Sequence, residues 1–196
     1  GCVNVPDKFY FNDLSLKKDG SFYASHMYKR DITMNEWFMI ALLKNNSGNI
    51  VLWENSNFTE IEGSEGSSPN GLVLDEESNT LYISYNLDDK VTIFDLSNNS
   101  KINSYFIESP DNPYIKDNSI WLTSLNFQPN DAMDCITKVN CSLPFSIHEL
   151  DKETFKERIS LLLDPQTCGP LLISCNRKYE NNLKEKWYKV GEVVKM

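Results

Sequence analysis

Three stretches of the chain can be laid under one another, and this repeat restricts the fold more than any other feature of the sequence. "NDLSLKKDGSFYASHMY" begins at Asn12, "NGLVLDEESNTLYISYN" at Asn70 and "DNPYIKDNSIWLTSLN" at Asp111. Each opens with Asn or Asp, runs through a short apolar strand and a polar turn, and closes on an aromatic-bearing strand that ends in small hydroxyl residues. The Asn70-Gly71 pair is informative by its position. Such pairs ordinarily sit at the tip of a two-residue hairpin, yet this one precedes the first strand of its hairpin and so presents an amide at the start of that strand.

A third strand with alternating apolar character follows each hairpin: "GNIVLWENSN", "KVTIFDLSNN" and "FSIHELDKET". The starts at residues 12, 70 and 111 are spaced by 58 and 41, and propeller blades recur every ~40–50 residues. The longer first spacing holds one insertion, "KRDITMNEWFMIALLKNNSG", with an amphipathic helix expected from about Asn35 to Lys44. The reading is three blades of a β-propeller, each opened by an inner strand; an all-β sandwich with coincidental hairpins is the alternative.

With 196 residues, 40% of them hydrophobic and 12% aromatic, the chain can bury a core as one ordinary domain or as most of a larger repeat fold. A formal charge of -9 with no Lys/Arg cluster argues against a nucleic-acid partner and for a divalent cation or a neutral small molecule. The longest apolar run, Trp37 to Leu43, is too short for a transmembrane segment. No signal peptide is visible, and "GCVNVPDKFYFND" enters strand-like sequence at once, so the chain reads as a piece whose N-terminus is missing. Its localisation, cytoplasmic or exported, stays open. None of Cys2, Cys135, Cys141, Cys168 and Cys175 has zinc-site spacing. Cys135 and Cys141 flank a short polar loop; they form a disulfide in an oxidising compartment or stay free thiols in a reducing one.

In a propeller the inner strands line a central channel, so Asn12, Asn70, Asp111 and Asn112 would converge on its mouth from different blades. Oxygens converging on an axis are what a hard cation such as calcium requires. Taken singly, each of these residues also fits a turn.

These residues resemble the senescence-marker-protein/gluconolactonase family and its relatives the paraoxonases. "FNDLSLKKDGSFYASHMY", "SPNGLVLDEESNTLYISYN" and "SPDNPYIKDNSIWLTS" each look like a family strand-turn-strand signature, over residues 1–157. The resemblance implies a mainly β fold, an incomplete six-bladed propeller of about three blades, with calcium or another divalent cation in the channel. Asn12 and Asn70 then match the family's two amide ligands and Asp111 its acid ligand. Asn112 matches an extra ligand of the paraoxonase branch, Asp13 a position that helps hold a second, structural calcium, and His26 an active-site-wall histidine. The implied activity is hydrolysis of a small-molecule lactone or ester, including arylesters, with Asp111 as ligand and base and His26 as a further base candidate.

The chain also departs from the family. The metal-binding Glu of the first blade and the upstream histidine of paraoxonases have no counterpart, and Leu125-Asn126 stands where relatives often carry a histidine. The expectation is therefore a fragment impaired by truncation: weak calcium binding, negligible lactonase activity, and self-association through uncovered blades. A non-catalytic propeller module that binds a ligand or partner, or a strictosidine-synthase-like propeller, is the other reading.

From about Leu161 the blade phase is lost. The 158–196 segment is expected to be a short α/β C-terminal tail, strand, helix and strand, and resembles the end of selenide, water dikinase. Asp164-Pro165-Gln166-Thr167 and Gly169 carry that resemblance, while Cys168 and Pro170 depart from it. The kinase's ATP-binding and nucleophile-bearing parts have no counterpart here, so a fusion or chimera is implied and no kinase activity. His148 reads as a surface histidine; Trp53, Trp121, Phe22-Tyr23 and Leu81-Tyr82 read as blade packing. The helix of the insertion reads as packed on the propeller, or as a lid or membrane-surface helix.

Overall fold

A computed structural model gives the structure of the protein and describes residues 2–125, 144–155 and 157–163. Blade one comprises β1 (Phe11–Leu16), β2 (Phe22–His26), β3 (Gly48–Glu54) and β4 (Asn57–Gly66). Blade two comprises β5 (Pro69–Asp75), β6 (Thr80–Tyr85), β7 (Lys90–Asp95) and β8 (Ser100–Phe106). Blade three comprises β9 (Pro110–Lys116), β10 (Ser119–Leu125), β11 (Phe145–Asp151) and β12 (Glu157–Leu163). Each is a four-stranded antiparallel meander with its strands in sequence order. The chain is thus mainly β, an incomplete propeller of three blades, and no sheet closes on itself among the described residues. The hairpin between the first two strands of each blade turns through a left-handed residue, Gly20 (φ 89), Asn79 (φ 52) or Asp117 (φ 54), which glycine, asparagine and aspartate tolerate best.

The alternation of side chains along a strand explains the stacking. Leu81, Ile83 and Tyr85 of β6 face blade one and join Tyr23, Ile50, Leu72 and Phe94 in one apolar seam. Tyr82, between them in sequence, faces the other way and joins Val91, Ile107, Ile120, Leu122, Leu150 and Phe155 in the second. Every residue of β6 is therefore buried. Full burial of side chains such as Leu81 and Ile83, both 0% exposed, contributes about 1.5–3 kcal/mol each. The far face of blade one carries an aromatic cluster instead, with Phe22 stacked on Trp53 at 5.2 Å and Phe9 packed on Phe11 and Phe58 at 5.3 and 5.8 Å.

The insertion in blade one forms α1 (Met34–Leu43), close to the expected span. Thr33 and Glu36 build a capping box at its start, and Lys44 beyond its end pairs with Asp89 of blade two. Met34, Met39, Leu42 and Leu43 stay exposed, so the apolar residues are not confined to the packed side. Among the described residues no helix is long and apolar enough to cross a membrane. Strand β12 pairs with β11 and runs across the expected boundary at 157/158. The residues of the tail resemblance, 164–170, and Cys135 and Cys141 lie outside the described residues.

Tyr85 anchors the first seam. It is fully buried, its hydroxyl donates to the Ser64 carbonyl at 2.7 Å, and the ammonium groups of Lys90 and Lys101 lie 5.5 and 5.0 Å from its ring centre. Gly66 lies flat against that ring: an added Cβ would sit 2.1 Å from two ring carbons. Gly66→Ala should therefore lower stability by about 1–3 kcal/mol, the range for overpacking a core, measured as a lower midpoint in urea unfolding.

Candidate functional site at the bulged ends of the inner strands

Each inner strand carries one residue more than its partner at the same place. The register of β1 with β2 steps from Phe11↔His26 to Leu14↔Ala24, so Asn12 and Asp13 together face Ser25. In blade two Asn70 and Gly71 face Ser84, and in blade three Asp111 and Asn112 face Thr123. Such a bulge bends the strand and re-aims the side chains that it carries. The small hydroxyl residues that close each repeat are thus the partners of the bulges. Ser25 shows how one is used, its Oγ accepting from the Asp13 N–H at 3.1 Å.

The position of Asn70-Gly71 follows from this geometry. A Cβ on Gly71 would meet the Asn112 Cα at 2.5 Å, the Pro113 Cδ at 2.6 Å and the Asp111 carbonyl oxygen at 2.7 Å. Only a glycine lets the inner strand of blade three approach so closely. At the seam between blades one and two the equivalent bulge position is Asp13, whose carboxylate crosses the gap. Its Oδ2 accepts from the Leu72 N–H at 3.0 Å and its Oδ1 from the Leu14 N–H at 2.8 Å.

The sequence-predicted residues divide by environment. Asn12 and Asn112 are exposed, Asp13 and Asp111 are half-buried, and Asn70 is buried. The Asn70 Oδ1 is shielded from solvent and has no hydrogen-bond partner among the described residues, a costly state for an acceptor. Asp111 lies near enough to Asp13 to feel its charge: burial first, then the Asp13 carboxylate, push the Asp111 carboxyl above its ordinary range, against the pull of the Asn112 N–H. Among the described residues no three His, Cys, Asp or Glu side chains group as a metal site. A cation at this end would therefore rest on amide oxygens as well as on the two carboxylates.

His26 ends β2 beside the first bulge, opposite Phe11. Its Nδ1 accepts from the Tyr10 N–H at 3.0 Å and its ring packs edge-on to Phe9 at 5.5 Å. With Nδ1 accepting, the neutral ring carries its proton on Nε2. Burial lowers its pKa, against the raising effect of Glu60. The groups that act on His26 are not those that act on Asp111.

His148 is not the surface residue its sequence context suggests. It pairs with Leu122 in the ladder and so shares the inward face of blade three, where its side chain is 13% exposed and its Nδ1 lies 2.6 Å from Glu157 Oε1. A cavity at the opposite ends of the blades is bordered by Lys17, Lys18, Asp19 and Glu76. Both lysines there are already paired, with Asp19 and Glu76 respectively, at 3.3 Å.

No family model and no curated protein matches the chain, so neither comparison supports the likeness of the tail to selenide, water dikinase. Solved structures do match. The chain is 12% identical to a chain of Kuenenia stuttgartiensis hydrazine synthase at a TM-score of 0.53, over 83% of this chain and 38% of that one. It is 14% identical to luciferin-regenerating enzyme at a TM-score of 0.49, over 80% of this chain and 46% of that one. Both are distant likenesses; the first speaks to the fold alone and the second carries no further argument. The chain spans less than half the length of either.

The environment of His26 sets a pH dependence. Its folded pKa lies below the ordinary 6.5, so as pH falls through 6.5 the unfolded chain takes up a proton that the folded chain does not. Stability from this group is complete above 6.5 and declines as pH falls toward the lowered folded value. The His26 ring resonances should titrate with a midpoint below 6.5 in NMR, and His26→Gln should flatten the stability profile over that window.

Proposed function

We propose that the bulged ends of the three inner strands bind a divalent cation of the calcium class and that the site serves hydrolysis of a lactone or ester. The observation that carries this reading is the buried, unpartnered Asn70 Oδ1, one residue from the Gly71 contact with Asp111. Beside it, burial and then the Asp13 carboxylate disfavour the charge of Asp111. A hard cation would satisfy the amide oxygen and offset both carboxylates. The donor set fits: Asn70 and Asp111 first, then Asp13, which keeps lone pairs beyond its two backbone bonds, with Asn12 and Asn112 at the exposed rim. The resemblance of the three signatures to gluconolactonases and paraoxonases points the same way.

Bound calcium would supply Lewis-acid polarisation of an ester carbonyl and stabilisation of the oxyanion. The chain's own groups would do the rest. Asp111, as a carboxylate beside the bound cation, would also be placed to accept a proton from water as general base. His26, with Nδ1 committed to Tyr10, offers an Nε2–H and so suits donating a hydrogen bond to substrate.

Calorimetry with calcium on the wild type and on Asp111→Ala tests the site. Weak but measurable binding is expected, reduced by at least about tenfold, or ~1.4 kcal/mol, in the variant. Calcium titrations that show no heat of binding in the wild type would overturn the reading. A panel of lactones and aryl esters then separates the classes: slow turnover that requires calcium supports the hydrolase, and binding with no turnover in any substrate supports a non-catalytic propeller module.

A further inference from the structure

Ser84 is fully buried on β6 and faces the second bulge, as Ser25 faces the first. The two hydroxyls are used differently. Ser25 bonds within its own blade, whereas the Ser84 Oγ–H crosses the seam and donates to the Asp111 carbonyl at 2.5 Å. Two features make the crossing available. Gly71 brings the blade-three backbone to within 2.7 Å of where its own Cβ would be. Asn86, two residues on from Ser84, donates from Nδ2 to the preceding carbonyl, that of Pro110, at 3.3 Å. The carbonyls of Pro110 and Asp111, two successive residues at the third bulge, are thus both held by blade two, and the Asn112 N–H bonds the Asp111 carboxyl.

We infer that Ser84 is a positioning residue for Asp111: its buried hydroxyl pins the third bulge against Gly71 and fixes where the Asp111 carboxylate emerges. Ser84 touches neither cation nor substrate. It acts by removing the freedom of one peptide unit, and a carboxylate on an unpinned bulge would sample several directions, only some of them useful for a shared ligand. Loss of the hydroxyl also leaves the Asp111 carbonyl without this donor in a seam that admits little water. The inference rests on the cation site proposed above.

The test compares wild type with Ser84→Ala and Ser84→Thr, the latter keeping the hydroxyl. Calcium affinity is measured by calorimetry below the unfolding transition, alongside thermal melts. Affinity should fall about tenfold in Ser84→Ala, the scale of one buried hydrogen bond, and return to within about twofold of wild type in Ser84→Thr. A lowered melting temperature with unchanged calcium affinity would assign Ser84 a purely structural role and overturn the inference, as would a Ser84→Thr protein as weak as Ser84→Ala. If Ser84→Ala does not fold, Ser84→Cys, which preserves volume and has a poor donor, is read in its place. If the wild type binds no calcium, the cation reading fails by itself, and positioning is then read by NMR. Displaced Asp111 carbonyl and Asn112 amide resonances in Ser84→Ala, restored in Ser84→Thr, support it; unmoved resonances overturn it.

Discussion

A strand at the inner end of a propeller blade has a free edge, and its outward N–H groups must find acceptors that are not part of its own sheet. At the seam between blades one and two the neighbouring blade supplies them. Leu72 and Leu74, alternate residues of β5, donate to Asp13 and Ser15 of β1. The extra residue at the start of each inner strand makes this exchange geometrically workable, because a bulge turns the local strand out of its plane. The bulge recurs in all three blades and gathers polar groups at the same end of each inner strand. The apolar seams add most of the free energy, and the hydrogen bonds to bulge residues add directional contacts between the blades.

The same device concentrates negative charge. Lysines elsewhere are matched with carboxylates: Lys8 with Glu60, Lys44 with Asp89, Lys90 with Asp88 and Lys152 with Asp75. None of the described ion pairs involves Asp13 or Asp111. In a chain of net charge -9, the Asp13 carboxylate acts on Asp111 with no side-chain cation paired to either among the described residues, and the two form a local excess of negative charge. The Asn70 oxygen adds a neutral donor whose hydrogen-bonding capacity is unmet among the described residues.

Much of the architecture was legible in the sequence because the inner three strands of each blade are packed on at least one face. Alternation in "KVTIFD" and "FSIHELD" located β7 and β11, and the repeated Asn or Asp marked the bulges. The outer strands were not legible. β8, "SKINSYF", is exposed along nearly its whole length, and β4, "NFTEIEGSEG", is polar throughout most of its span, so neither presents a face for periodicity to reveal. His148 was misread for a related reason. Which face a β11 residue takes is decided by its pairing with Leu122, and pairing is invisible in a single strand. The hydroxyls closing each repeat were visible as a pattern, but their partners could be assigned only once the register placed Ser25 and Ser84 opposite the surplus residues. The crossing bond of Ser84 depends on a close backbone approach that no composition encodes; its one trace is the glycine at position 71.

The complete burial of β6 has a consequence for how the molecule comes apart. Blades one and three each lean on a single neighbour within the described chain, so either can detach by opening one seam. Blade two has a neighbour on both sides and cannot be solvated until both seams have opened. Nearest-neighbour stacking of this kind makes stability a sum of unit and interface contributions, and hydrogen exchange then follows position in the stack. The amides of Leu81 to Tyr85 should therefore form the slowest-exchanging tier of the stack. The middle blade is in this sense a keystone, the last part of the arch to lose its shape and the part against which Asp111 is held.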